Sequence, residues 1–370
     1  MALILVLMAL SFINYIYGFL EEREGAEAVF DLSEPEHGSV KLLGTEALEQ
    51  AKQPEIGYEK QQIDLIIPSD FEEIPCLQAS FRWGWELFDR NSTERSEELT
   101  VAAASLIQIE YYLGYGKTID DIRALREDLG FEQTEVFNNG VSMNVDRPVT
   151  IISSVKAPFP GKDGYIICVD IRGTYSAGDA VTDLKAAYNG FAAAAEDVCE
   201  SITQYAKTYC GDAARENITL FVFGHSLGGA CAGLQAELLD KAGFAPERTF
   251  AYTFASPKYR LNGGRNAYPN VMNFVVSKDF VPLVPLLDGR YGEDFRYDDP
   301  FPELYVGDAL AIMLSAQPRN DLADILWRHH NSTNYLIEVG ERNYSADPPW
   351  SDALYYGARL LLQTMQIAAE

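Results

Sequence analysis

Positive charge is scarce in this chain. Of 370 residues, 29 are Lys or Arg and 55 are Asp or Glu, a formal net charge of −26, and the pI is near 4.5. That balance argues against nucleic acid as a partner and against charge-driven attachment to an anionic membrane. Contact with neutral lipid stays open, because burial of apolar surface drives it. Cysteine is sparse too. Cys76, Cys168, Cys199, Cys210 and Cys231 contain no C-x-x-C pair and no zinc spacing, and their odd number leaves at least one without an intramolecular partner. Cys168 and Cys231 read as small core residues, and a Cys199–Cys210 bridge is conceivable only in an oxidising compartment. Only four histidines are present. No cofactor and no metal is implied, no internal repeat is evident, and nothing in the sequence sets the oligomeric state.

What is there falls into three stretches. Residues 1–20 carry no charge at all, so residues 1–28 read as a signal peptide or anchor, with Ala26-Glu27-Ala28 as a small-x-small cleavage site. This implies a secreted or cell-envelope protein; the alternative is a buried N-terminal helix in a cytoplasmic one. Residues 29–98 form an acidic segment expected to be loosely structured, with one strand at "QIDLIIP". Residues 21–75 hold 15 Asp or Glu against 4 Lys or Arg.

Residues 99–370 read as one catalytic domain. Val101, Leu106, Ile109 and Leu113 mark one face of a helix, and Thr118 with Asp121 forms a capping box that starts the next. Apolar strands "TIISSV", "GYIICVDI", "NITLFVF", "RTFAYTF" and "NVMNFVV" then alternate with helices from Tyr188 and Ser226. Unbroken apolar strands alternating with helices predict an α/β fold with a predominantly parallel central sheet flanked by helices. Beyond Val276 the Asp- and Pro-rich sequence reads as loop, with helices expected at 303–316 and 349–369.

The chemistry is concentrated in "LFVFGHSLGGACAGL". Gly224-His225-Ser226-Leu227-Gly228 satisfies G-x-S-x-G, between an apolar strand and a helix. A serine there sits in a strained turn that the glycines make possible, and the Leu227 N–H at the helix start faces a developing oxyanion. The alternative is a helix N-cap serine. A hydroxyl needs a base. His225 should point away from it and His37 lies in the acidic segment, which leaves His329 and His330. Asp279, directly after a strand, is the best placed acid, ahead of Asp288, Asp294, Asp298 and Asp299. Thr174, in the turn after "VDI", could supply a second oxyanion donor through its N–H and hydroxyl; the alternative is a polar turn with Asp179 as a cap.

Together the blocks "RGTYSAGDAVTDL", "YNGFAAAAEDV", "FGHSLGGACAGL", "YTFASPKY", "VVSKDFVPLVPL" and "HNSTNYL" resemble the class 3 (fungal-type) lipase family, in its order and over roughly residues 99–337. The resemblance implies an α/β-hydrolase fold and a lipase-type serine ester hydrolase acting on acyl esters of glycerolipids, with transient contact at a lipid interface. It implies Ser226 as nucleophile, Asp279 as acid, Thr174 and Leu227 as oxyanion donors, and His330 rather than His329 as base, since H-x-x-x-x-Y falls on His330 and Tyr335. Two positions depart from the family. Ala180 stands where a tryptophan usually follows the aspartate of the expected lid, and Asn189 stands where many relatives have histidine. A short-chain esterase, phospholipase, thioesterase or non-catalytic scaffold on the same fold are the alternatives.

Overall fold

The computed structural model of the chain describes residues 39–43, 53–71, 74–113, 116–138, 147–159, 162–173, 177–211, 213, 215–261, 267–277, 279, 281–283, 288–297 and 328–341. Strands β1 (Ser39–Leu43), β2 (Gln61–Pro68) and β3 (Cys76–Trp83) come first, followed by helices α1 (Glu97–Tyr111) and α2 (Ile119–Asp128). Next are β4 (Gln133–Phe137), β5 (Thr150–Phe159), β6 (Lys162–Ile171), α3 (Ala177–Tyr209), β7 (Ile218–His225), α4 (Leu227–Lys241) and β8 (Thr249–Phe254). The short β9 (Arg260–Leu261), β10 (Val271–Val276), the short β11 (Asp288–Gly289), β12 (Glu293–Tyr297) and α5 (Ser332–Glu341) complete the order.

Seven strands form one sheet in the order β12-β10-β8-β7-β6-β5-β4. From β6 to β12 all neighbours are parallel, while β5 is antiparallel to both β6 and β4. Parallel neighbours need crossovers, and α3 and α4 supply them before and after β7. Every residue of β7, β8 and β10 is buried. Their side chains alternate between two cores. Leu220, Val222 and Ala251 pack with Ala194, Val198, Ile202, Ala230 and Ala232 of α3 and α4. Phe221, Phe223, Phe250 and Phe254 face the opposite core, with Leu99, Ala102 and Leu106 of α1. Burial on both faces explains why these strands read as unbroken apolar runs. The result is the expected α/β fold with a largely parallel sheet flanked by helices, β7 at its centre and the C-terminal end of β7 turned into α4.

Three expectations are corrected. The segment at 29–98 is not loose where it is described: β1, β3 and β2 form an antiparallel sheet in that order. Ile63, Leu65, Ile67, Leu77, Phe81 and Trp83 are buried in the same core as Phe221 and Phe223, so no packing boundary falls at residue 99. The Trp83 indole N–H also donates to the Leu129 carbonyl at 3.0 Å. The strand β2 alternates as Ile63, Leu65 and Ile67 inward against Gln62, Asp64 and Ile66 outward; the excess of acidic residues around it conceals that period. The second correction concerns the polar stretch after Val276, which contains β12, a parallel edge strand beside β10. Helix α3 also begins at Ala177 rather than Tyr188, so its backbone includes part of the expected lid. All five cysteines are free, and no Cys199–Cys210 bridge forms. The uncharged residues 1–20 and the expected helices at 303–316 and 349–369 lie outside the described residues. Among the described residues no helix is long and apolar enough to cross a membrane.

A buried charge cluster lies between α1, α2 and β6. Arg126 donates to Asp170 at 3.0 Å and to the Cys168 sulfur at 3.1 Å. Glu110 is buried beside them, and burial, followed by the negative charge of Asp170, raises its pKa well above the ordinary carboxylate value. Burial also raises Asp170. A carboxyl whose folded pKa exceeds its unfolded value contributes stability that is complete below the unfolded value and lost as pH rises through the folded one. Glu110→Gln, a shape mimic of the protonated acid, is therefore expected to flatten the decline of the melting temperature as pH rises above the ordinary carboxylate range. Identical declines in variant and wild type would show that Glu110 holds no extra proton.

Candidate active site

The turn after β7 holds a non-glycine residue at positive φ. Ser226 has φ 57° and ψ −123°, a conformation that an L-residue adopts only when its surroundings impose it. Its N–H donates to the Phe254 carbonyl at 2.9 Å, and its own carbonyl accepts the Ala230 N–H at 3.0 Å, the first turn of α4. The flanking glycines are a steric requirement. A Cβ on Gly228 would lie 1.9 Å from the Ile171 carbonyl oxygen, and one on Gly224 would lie 2.5 Å from the backbone of Gly228. The end of β6 thus presses directly on the elbow, and only hydrogen atoms fit between. Leu227 is the first residue of α4, so its N–H is among those a helix leaves without an internal partner.

Three side chains distant in sequence meet at this turn. His330 Nε2 lies 2.8 Å from Ser226 Oγ, and His330 Nδ1 lies 2.9 Å from Asp279 Oδ2. Asp279 follows β10, as the order of strand and acid led one to expect, and its Oδ1 accepts the Val281 N–H at 2.9 Å. Its Oδ2 also accepts the Tyr335 hydroxyl at 2.7 Å, and that hydroxyl accepts the Val276 N–H at 3.2 Å. Burial, then the charge of Asp279, raises the Tyr335 pKa well above the phenolic value and keeps the hydroxyl a donor. With Ser226 5 % exposed, His330 3 % and Asp279 1 %, the chain of hydrogen bonds is nearly closed to solvent, and in such a setting each bond is stronger than in water.

Of the other acidic candidates, Asp294 is engaged by Arg290 at 3.0 Å; Asp298 and Asp299 lie outside the described residues, as does Thr174. Its neighbour Gly173 is described, and a Cβ there would lie 2.4 Å from the His225 carbonyl oxygen and 3.1 Å from Ser226 Cβ. The turn after β6 therefore runs directly against the serine. His225, expected to point away from the hydroxyl, contacts Tyr111 and the main chain of His330 instead.

Several supporting residues went unrecognised in the sequence. The Asn331 amide donates to Asp70 Oδ2 at 2.9 Å, and the Tyr112 hydroxyl donates to Asp70 Oδ1 at 2.8 Å. The Ser332 hydroxyl bonds to the Gln108 side chain. Asp70 lies in the acidic segment, where no local pattern separates it from its neighbours. Tyr335 was marked by its spacing from His330, but its hydrogen bond to Asp279 was not foreseen. Among the described residues no group of three or more His, Cys, Asp or Glu is placed to hold a metal ion.

Residues 167–289 match the family described as lipase (class 3), a span that contains Ser226 and Asp279 and stops short of His330. Among solved structures, Lip2 lipase from Yarrowia lipolytica is similar at 19% identity, with a TM-score of 0.38 over 55% of this chain and 78% of that one. The nonglycosylated form of the same lipase is similar at 18% identity and the same TM-score, over 55% and 79%. No curated protein matches this chain.

Proposed function

We propose, from the premise that residues 167–289 are those of a class 3, lipase-type ester hydrolase, that this chain hydrolyses acyl esters of glycerolipids through a covalent acyl-enzyme. Ser226 is the nucleophile, His330 the base and Asp279 the acid. The observation that carries this reading is the continuous relay at 2.8 and 2.9 Å from Ser226 Oγ through His330 to Asp279, built on a strained elbow. His330 Nε2 takes the serine proton as Oγ attacks the ester carbonyl carbon, and the oxyanion is received by the Leu227 N–H and by Thr174. Collapse breaks the ester bond, and the imidazolium gives its proton to the departing alcohol. Water then attacks the acyl-enzyme with His330 again as base, releasing the acid and restoring Ser226. Asp279 holds the Nδ1 proton and stabilises the imidazolium at each stage.

The net charge of −26 leaves contact with neutral lipid to apolar burial rather than to charge, and the uncharged residues 1–20 support export. Hydrolysis rates for glycerol esters from acetyl to palmitoyl, with and without emulsion, test the substrate class. Rates that rise with acyl length and increase at an interface are expected, all abolished by Ser226→Ala. A maximum at acetyl that is indifferent to emulsion would make the protein a short-chain esterase. Preference for a phospholipid or a thioester would likewise reassign the substrate. A folded protein inert towards the whole series would indicate a non-catalytic scaffold.

A further inference from the structure

His225 is fully buried next to the nucleophile, and the relay leaves it without a part. Its two ring nitrogens are nevertheless both engaged. Nε2 lies 2.8 Å from the main-chain carbonyl oxygen of His330, and Nδ1 lies 2.8 Å from the Tyr111 hydroxyl. We propose that His225 and Tyr111 are positioning residues for the base: the Tyr111 hydroxyl donates to Nδ1, which leaves the proton on Nε2 to hold the carbonyl of His330. The proposal rests on reading His330 as the base.

The tautomer follows from donor and acceptor rules. A carbonyl oxygen only accepts, so Nε2 is a donor; a neutral imidazole then has an acceptor at Nδ1, and the phenol must supply the proton. The ring stays neutral. Burial, followed by the charge of the neighbouring imidazole of His330, holds the His225 pKa well below its ordinary value. Burial also keeps Tyr111 protonated. Neutrality matters because the two imidazole centroids are 4.8 Å apart, and His330 becomes a cation during each turnover. A second cation at that distance would oppose proton transfer from Ser226.

The base needs such a clamp. In sequence His330 lies 33 residues beyond the end of β12 at Tyr297 and 104 beyond Ser226, so its approach to the serine is a long-range tertiary contact. Because His225 immediately precedes Ser226, the bond to the His330 carbonyl links base and nucleophile a second time, through the backbone. The same hydroxyl that orients His225 is packed against the turn after β6, since a Cβ on Gly173 would lie 2.5 Å from Tyr111 Oη. Tyr111 and Gln108, three residues apart on one face of α1, hold both sides of the base: Tyr111 through His225, and Gln108 through Ser332. None of α1 lies within the residues that match the lipase family.

Steady-state kinetics on a soluble nitrophenyl ester, with thermal unfolding measured for each variant, tests the proposal. His225→Leu is expected to lower kcat by about 30-fold with KM within about twofold, because a small misplacement of a reacting group is costly. Tyr111→Phe is expected to lower kcat by about fivefold, and His225→Gln, whose amide can still donate to the carbonyl, to recover to within about threefold of wild type. Equal losses in His225→Leu and His225→Gln, or an unchanged kcat in Tyr111→Phe, would overturn it. Should His225→Leu fail to fold, Tyr111→Phe and His225→Gln still decide. Long-range nitrogen–proton NMR of histidine-labelled protein reads the tautomer without turnover. A neutral Nε2–H form is expected for His225, while an Nδ1–H form or an imidazolium at neutral pH would overturn the proposal. A protein with the expected tautomer and no esterase activity would instead contradict the assignment of the base.

Discussion

Asp279→Asn is expected to lower kcat/KM for a soluble ester by about four orders of magnitude while the protein stays folded. The reason is a mismatch of donors. Asp279 accepts from three groups: Val281 N–H at Oδ1, and both His330 and the Tyr335 hydroxyl at Oδ2. An asparagine offers one acceptor oxygen and one donor amide to the same three. If the amide faces His330, the imidazole must carry its proton on Nε2, and no lone pair remains to take the proton from Ser226. If the amide faces Val281 instead, two N–H groups oppose each other in a buried site, at a cost of about 1–3 kcal/mol. Kinetics and a melting curve on the same preparation separate the two effects. A loss of less than tenfold in a folded variant would remove Asp279 from the role of acid.

The second large effect is steric. Gly228→Ala is expected to destabilise the protein by about 4 kcal/mol or more and to abolish activity wherever it remains folded. Its Cβ would lie 1.9 Å from the Ile171 carbonyl oxygen, and the obstacle is backbone rather than the movable end of a side chain. Relief requires that β6 and the start of α4 separate. That movement would displace the Leu227 N–H, and with it the turn at Gly173 that runs against Ser226. A melting temperature within a degree or two of wild type would mean that the elbow relaxes without strain, contrary to the packing described.

The central sheet was legible because its strands are buried on both faces, and such strands announce themselves as apolar runs: "NITLFVF" is β7 and "NVMNFVV" is β10 to within two residues. The capping box at Thr118 and Asp121 is formed as its residue types implied. At the site, Ser226 and Asp279 were legible because each directly follows an apolar strand, and His330 because few histidines were available and its spacing to Tyr335 matched the resemblance. The antiparallel sheet of β1 to β3 was obscured for a physical reason. It is buried on one face only, so half of each strand is polar, and in β2 that half merges with an acidic surrounding. The supporting contacts are the least legible of all. Asp70 lies 261 residues from Asn331, and Tyr111 lies 114 residues from His225. A single polar residue carries no mark of a partner that far away.

The central claim is that Ser226 is made nucleophilic by His330 and Asp279. Treatment of the folded protein with a fluorophosphonate, followed by mass spectrometry of its peptides, tests it most directly, because the reagent needs the activated serine and no particular acyl chain. A single adduct on Ser226 is expected, absent from Ser226→Ala and formed far more slowly in His330→Ala and Asp279→Asn. A folded wild-type protein that forms no adduct, or forms one on another residue, would contradict the account.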